Sequence, residues 1–492
     1  MESMYTHFDF LLFLVWPWIV ERVSPGGTAS PNQEGGLVDW LKHLEGRVKN
    51  LSFFVNERPA DQAFMERVFR EGNEKVYIGQ DDSLYYRPDL EAIYEKGAFY
   101  REPSSVAREK VADTWHAPLD VIDGFSKQLA ERGIELVIVP VPTKPMLCQG
   151  GLGMETAGGA SGLYSDVLAA LSSKGIEVVD LMPVLEALPE SSRFLKHDTH
   201  WTPTAMKLAA EVLSEKNARA KIGNLTINWI AEQKSYSGDL AGMLDRNDAA
   251  GQEVELRIPR GAIINDTDSS VVVLGDSFVN ICDEPGLGFG GEERAKIGAG
   301  FAAHLSANFS QSIQTIAING DGATAVRREF ASLPDKVVRS KKVVVWVLSP
   351  RDLLLAEFPA RRAGIRWVPV EFREADSAPV QMTGLAVTAT VTELSQFDDP
   401  RETAYKDAVY SLLLSDPEVE SGDYKKDEIF AFAWAFRDRV LQESSGLEQG
   451  KRYRFVLESL QGAEGVSNAT QVDDLFRTDI DPWFIKSFEA LP

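Results

Sequence analysis

The stretch Val271–Asn280 reads VVVLGDSFVN. Val271 to Leu274 are an apolar run of the kind a buried strand shows, and Gly275-Asp276-Ser277 breaks it. A serine at the carboxyl end of a buried strand stands where open α/β sheets hold their ligands. Its hydroxyl is a weak nucleophile until a base takes its proton. His197-Asp198-Thr199-His200-Trp201 offers that base, with Asp198 and His200 two residues apart. Acyl transfer through serine needs a nucleophile, a base, an orienting carboxylate and donors for the oxyanion. Ser277, His200 and Asp198 fit the first three roles. The backbone N–H of Ser277 is one oxyanion donor, and Gly238 and Asn319 are candidates for others. Arg351, at the end of an expected strand, is a candidate for a substrate carboxylate or the acyl oxygen; a structural ion pair is the competing reading. Trp201 reads first as a core or wall residue and second as a sugar platform.

Each of these residues also has a plain reading. Gly-Asp-Ser is ordinary turn chemistry, Asp198 could cap the helix that follows it, and His200 could be a capping histidine. The chain has six histidines, so His200 has few rivals as base; His197 is the nearest, and a solvated role suits it better.

The elements that must position this set alternate. Val76–Arg87 (VYIGQDDSLYYR) reads as a hairpin turning at Gln80–Ser83. Helices are expected over Pro118–Arg132, Leu163–Ser173, Val184–Leu188, Thr204–Lys216, Arg294–Phe309 and Ala323–Leu333. Thr202 is the N-cap and Pro203 the first residue of the fourth. Strands are expected at Ile134–Val139, Ile176–Val179, Val271–Leu274, Gln314–Ile318 and Val343–Leu348. Strands alternating with helices imply a mainly parallel sheet covered on both faces. Ile222–Met243 is less regular. Beyond residue 370 the pattern alternates: Leu385–Glu393, Ala408–Leu414, Glu428–Arg437 and Arg452–Leu460 favour strands of a small all-β domain, barrel- or sandwich-like. Its aromatics Phe430, Phe432, Trp434 and Phe436 read as core rather than a sugar-binding strip. The tail Asp473–Pro492 is acidic, with Phe476, Trp483 and Phe484 as apolar anchors. The domain division is therefore 1–36, an apolar segment and linker; 37–370, the catalytic domain; and 371–492, a β-domain that is a candidate glycan binder.

With 492 residues, 44% hydrophobic and 25% charged, the chain has the composition of ordinary globular protein. Its 51 basic residues against 74 acidic ones leave a net charge of −23, which disfavours nucleic acid as a partner. Two cysteines, Cys148 and Cys282, cannot form a metal site by themselves; buried free thiols are the favoured reading and a disulfide the other. No metal or cofactor is expected. Phe8–Val20 is apolar apart from Asp9 but short of the ~20 residues a span needs. It lacks a basic start and a clear cleavage site, so it leaves a signal-anchor remnant, membrane association or a packed segment open. Gly26–Gly36 reads as a linker, with short helices after it at Val38–Lys49 and Asp61–Glu71.

Gly275-Asp276-Ser277-Phe278 resembles the nucleophile block of SGNH (GDSL-type) hydrolases. Asp198-Thr199-His200-Trp201 resembles their Asp/His block, with one residue between the two rather than two, and it precedes the serine. That order and spacing are similar to the AlgX/AlgJ type of polysaccharide O-acetyltransferase. Val76–Asp89, Pro140–Lys144 (PVPTK), His197–Pro203 (HDTHWTP) and Val345–Leu353 (VWVLSPRDL) agree, so the resemblance covers about residues 70 to 360. It implies a periplasmic enzyme that moves acetyl groups to exopolysaccharide hydroxyls, supplied by a membrane-bound acyltransferase within an export complex, with a C-terminal carbohydrate-binding β-domain. Two other functions fit the same residues: a carbohydrate esterase, in which water replaces the sugar hydroxyl, and a non-catalytic glycan-binding scaffold.

Overall fold

Five parallel strands organise the first part of the chain. After the hairpin β1 (Val76–Ile78) and β2 (Leu84–Tyr86) come β3 (Glu135–Pro140) and β4 (Glu177–Val178). An antiparallel ribbon, β5 (Trp229–Tyr236) and β6 (Gln252–Pro259), precedes β7 (Val271–Gly275), β8 (Gln314–Ala317) and β9 (Val343–Leu348). The sheet order is β4-β3-β9-β7-β8, every pair parallel. The computed structural model describes residues 72, 73, 75–94, 116–152, 159–217, 223–244, 246, 251–260, 265–283, 287, 297–354, 367–373 and 384–491, the last span without 402, 404, 467, 468, 476 and 478. The expectations for Phe8–Val20, Gly26–Gly36, Val38–Lys49, Asp61–Glu71 and Phe476 lie outside the described residues. Among the described residues no helix is long and apolar enough to cross a membrane.

The strands of this sheet form because they can be buried on both faces. Val271, Val272, Val273 and Leu274 are all fully enclosed, as are Val344, Val345 and Trp346 of β9. Helices such as Pro118–Glu131 cover the sheet, with Val121, Ile122, Phe125 and Leu129 turned inward. Gly275 ends β7 at a close approach: a Cβ there would come 2.5 Å from Val279 Cγ2 and 3.1 Å from the Val347 carbonyl oxygen. Only a residue without a side chain lets the helix Ser277–Asn280 start directly off the strand. β3 feeds β4 on one side of β9, and β7 feeds β8 on the other. The carboxyl ends near that change of direction are where this architecture makes its crevice.

The second part is a closed barrel. β10 (Leu385–Leu394), β11 (Ala408–Ser421), β12 (Glu428–Arg437), β14 (Arg452–Ser459) and β16 (Trp483–Ala490) pair round to β12 again. The short strands β13 (Val440–Leu441) and β15 (Thr470–Val472) add to it, β13 pairing with β12 and β15 with β11. The acidic tail contributes a barrel strand: Trp483, Phe484 and Ile485 are buried, and β16 fills the gap between β12 and β14. The less regular stretch Ile222–Met243 carries β5; the β5–β6 ribbon has one largely exposed face and does not join the main sheet, so it lacks the apolar run that marks a buried strand. The helix expected from Arg294 begins at Phe301. Phe430 and Phe432 are fully buried with Val466 and Phe484 on the barrel's outer side, whereas Phe436 joins the interior, because the β11–β12 pairing is irregular at Ala408/Val409.

Asn73–Pro492 form one compact unit, so barrel and α/β part meet directly. At the junction Arg328 pairs with Asp473 at 2.5 Å, and its guanidinium lies 5.5 Å from the Phe430 ring and 5.8 Å from that of Phe432. The other oxygen of Asp473 accepts from the Ser411 hydroxyl at 2.8 Å.

Candidate active site

Asp198, Thr199 and His200 lie on the loop before the helix Pro203–Lys216. Thr202 caps that helix, its hydroxyl accepting from the Ala205 N–H at 3.1 Å, with Pro203 at the first helical position. This fixes where the loop ends. Lys144, just beyond β3, fixes where it begins. Its buried ammonium donates to the carbonyls of Leu84, Leu195 and Lys196 at 2.7 Å and of Asp198 at 3.1 Å. Burial lowers its pKa to about 8. Gly238 closes the other side: its φ is +91°, and a Cβ would come 2.1 Å from the His197 carbonyl oxygen.

Within this frame Asp198 Oδ1 accepts from His200 Nδ1 at 2.7 Å and from the His200 backbone N–H at 2.7 Å. Its Oδ2 accepts from the Asp239 N–H at 2.8 Å and from the Tyr236 hydroxyl. Burial pushes the Asp198 carboxyl up, but His200 and these hydrogen bonds outweigh it and hold it well below the usual range. Burial likewise pushes His200 down. The charge and hydrogen bond of Asp198, with Asp239 and Asp276 nearby, outweigh this and leave it above its ordinary value. With Nδ1 donating to Asp198, Nε2 is the ring's acceptor.

Asp239 is a second carboxylate beside the imidazole, its Oδ2 3.8 Å from Nδ1 and accepting from the Thr199 hydroxyl at 2.5 Å. Burial and the Asp198 charge push it up to about 7. Ligand atoms of Asp198, His200 and Asp239 lie within 4.8 Å of one another, the spacing of a metal site. The same oxygens and Nδ1 are already engaged in the bonds just described, so a cation would have to break them.

Ser277 opens the helix after β7, and Asp276 caps it by accepting from the Phe278 N–H at 2.9 Å. His200 packs on Phe278, ring centroids 5.0 Å apart. Among the described residues His200 and Ser277 are not hydrogen-bonded to each other; such contacts are often long in free enzymes and tighten around substrate. Trp201 is fully buried, stacked on Phe301 at 5.6 Å and donating to the Phe278 carbonyl at 3.1 Å, so it forms the wall behind the Ser277 turn. Asn319 is buried beyond β8, its Oδ1 accepting from Asn280 Nδ2 at 2.9 Å. Arg351, after β9, pairs with Asp89 at 2.5 Å, faces Asp352 at 3.6 Å and lies over the Tyr86 ring. His197 faces Asp82 at 3.4 Å. Both cysteines are buried free thiols.

Lys144, Tyr236 and Asp239 escaped the sequence reading as site residues, although Lys144 falls in PVPTK and the other two in the irregular Tyr236–Leu240 stretch. Tyr405, from the loop between β10 and β11, also escaped it. Its hydroxyl lies 3.4 Å from Ser277 Oγ.

A parallel α/β sheet with a strand–turn–helix serine at its carboxyl edge and an Asp-His pair on a neighbouring loop is the architecture of SGNH-type proteins. The chain belongs to the family described as "SGNH hydrolase-like domain, acetyltransferase AlgX", whose model matches residues 95–349, just over half of it. It is 28% identical over 184 residues to the probable alginate O-acetylase AlgJ of Pseudomonas aeruginosa, covering 36% of this chain and 43% of that protein. To the Pseudomonas putida protein of the same description it is 27% identical over 184 residues, covering 36% and 44%. The match thus spans less than half the length of these relatives. Among solved structures, the O-acetyltransferase domain of P. putida AlgJ is 22% identical, covering 57% of this chain and 92% of that one, with a TM-score of 0.42. AlgX of P. aeruginosa is 16% identical, covering 79% and 92%, with a TM-score of 0.41.

Proposed function

We propose that the protein is a polysaccharide O-acetyltransferase acting through Ser277, His200 and Asp198. The observation that carries this reading is the 2.7 Å Asp198–His200 hydrogen bond on a loop whose imidazole packs on Phe278, the residue after a serine at a β7 carboxyl end. Family membership and the acetylase description of the relatives support the choice of acyl group and acceptor.

Ser277 Oγ attacks the acetyl carbonyl while His200 Nε2 takes its proton. The oxyanion collapses, the donor's C–O bond breaks, and His200 returns the proton to the leaving oxygen. A sugar hydroxyl then attacks the acetyl-enzyme. Its proton passes to His200, the Oγ–carbon bond breaks, and Ser277 regains its proton from the imidazolium. The Ser277 N–H donates to the oxyanion. Gly238 and Asn319 are candidates for further oxyanion donors, and Arg351 and Trp201 for contacts to the substrate. The setting is the periplasm, with acetyl supplied by a membrane-bound acyltransferase of an export complex and the polymer presented near the barrel.

The test is intact mass after incubation with an activated acetyl ester, for the native chain and Ser277→Ala. The native protein is expected to gain one acetyl group and the variant none. Added acetyl-free glycan should then become acetylated. Release of free acetate alone makes the protein an esterase, and no gain of mass leaves a glycan-binding scaffold as the better account.

A further inference from the structure

The catalytic reading draws every group from the α/β part, yet the side chain hydrogen-bonded to Ser277 Oγ comes from the barrel. Tyr405 stands 128 residues further along the chain, its hydroxyl 3.4 Å from Ser277 Oγ. We propose that Tyr405 is a further catalytic residue, donating a hydrogen bond to the oxyanion formed at Ser277, so that the barrel completes the active centre. This rests on the acyl-transfer reading above.

The geometry suits that role. The oxyanion forms on the carbon bonded to Ser277 Oγ, so it stands one carbon away from that atom. A phenol 3.4 Å from Oγ in the free protein can therefore reach the oxyanion at the roughly 2.7–3.1 Å that a stabilising donor needs. The loop carrying it is built into the molecule. Arg439 Nη1 donates to the Thr403 carbonyl at 3.0 Å, and the Arg439 N–H donates to the Lys406 carbonyl at 2.8 Å. The Thr470 N–H reaches the Asp407 carbonyl at 3.1 Å, while the Thr470 hydroxyl donates to the Asn319 carbonyl at 2.6 Å, tying the barrel to the loop after β8. A donor held this way needs little reorganisation when charge develops.

The proton stays on the phenol. Burial raises the Tyr405 pKa, and the nearby Asp276 and Asp239 carboxylates raise it further, outweighing the opposite effect of the Ser277 hydrogen bond. Tyr405 is accordingly a neutral donor at any working pH and no competitor to His200 for the serine proton.

The experiment uses the full chain as native protein, Tyr405→Phe and Ser277→Ala, with p-nitrophenyl acetate as acyl donor. Tyr405→Phe is expected to lower the acylation rate and kcat by ~10²-fold, the scale of losing one oxyanion donor, with KM little changed and the acid limb of the pH profile unmoved. Its rate of inactivation by a phosphonate ester, which leaves a tetrahedral adduct on serine, should fall in proportion. Replacing Tyr405 by 3-fluorotyrosine, which keeps the hydroxyl and shape, should restore activity to within a few-fold of native. Native-like kinetics in Tyr405→Phe would overturn the proposal and leave the serine mechanism standing. So would a loss that 3-fluorotyrosine fails to restore, or one matched by a lowered melting midpoint and raised KM. If the native chain forms no acetyl adduct and equals Ser277→Ala, the acyl-transfer reading itself fails, and the role of Tyr405 with it.

Discussion

His200 is set by two carboxylates of unequal character. Asp198 carries the direct hydrogen bond, and Asp239 stands 3.8 Å off, itself pushed up to about 7 by burial and by its neighbour's charge. A base must be neutral to take a proton, so activity should vanish as pH falls through the raised His200 value. Asp239→Asn keeps an acceptor for the Thr199 hydroxyl but removes one of the charges that hold the imidazole up. The acid limb of kcat/KM is expected to move to lower pH. A pH–rate profile of the variant checks this, and a limb that stays put would mean that the Asp239 charge does not reach the ring.

At the scale of elements, the loop carrying Asp198 and His200 is held less by its own sequence than by the ends of neighbouring elements. Lys144, just beyond β3, is the main tie, because one ammonium serves four carbonyls from the β2 strand and the 195–198 loop. Lys144→Met removes the donor and leaves those buried acceptors to compete for too few partners. The expected cost is roughly 3 kcal/mol of stability, with a fall in activity because the Asp198 backbone loses its anchor. Denaturant midpoints together with ester turnover measure both; a variant as stable as native would show that the carbonyls find other donors.

For the whole molecule, the barrel and the α/β part meet at Arg328, which faces Asp473 and two buried phenylalanine rings. Breaking a buried ion pair by deleting one member costs about 3–5 kcal/mol, since the other charge stays enclosed. Arg328→Ala is therefore expected to lower the melting midpoint by several degrees. It should also reduce turnover if the barrel must seat correctly for Tyr405 to reach Ser277. Calorimetry and steady-state kinetics on the same preparation separate the two effects, and native turnover in a destabilised variant would uncouple the junction from the site.

The doubly covered sheet was legible in the chain because a strand buried on both faces must be apolar at every position, as Val271–Leu274 and Val343–Leu348 are. The start of the helix after the His200 loop was legible for an equally local reason: Thr202 and Pro203 answer needs of the first helical turn alone. That Ser277 stands at the carboxyl end of β7, and that Asp198 and His200 lie on one loop, was legible from the apolar run and from their spacing. The β5–β6 ribbon and β16 were missed, because exposed or edge-filling strands satisfy their backbone through a distant partner and show no continuous apolar run. Tyr236, Asp239, Lys144 and Tyr405 were missed for the same reason at the level of side chains. A tyrosine or lysine carries no local mark of which distant carboxylate, carbonyl or hydroxyl it will meet. Periodicity encodes which face is buried; closing the barrel and docking it on the α/β part determine that a phenol from residue 405 stands beside the serine at 277.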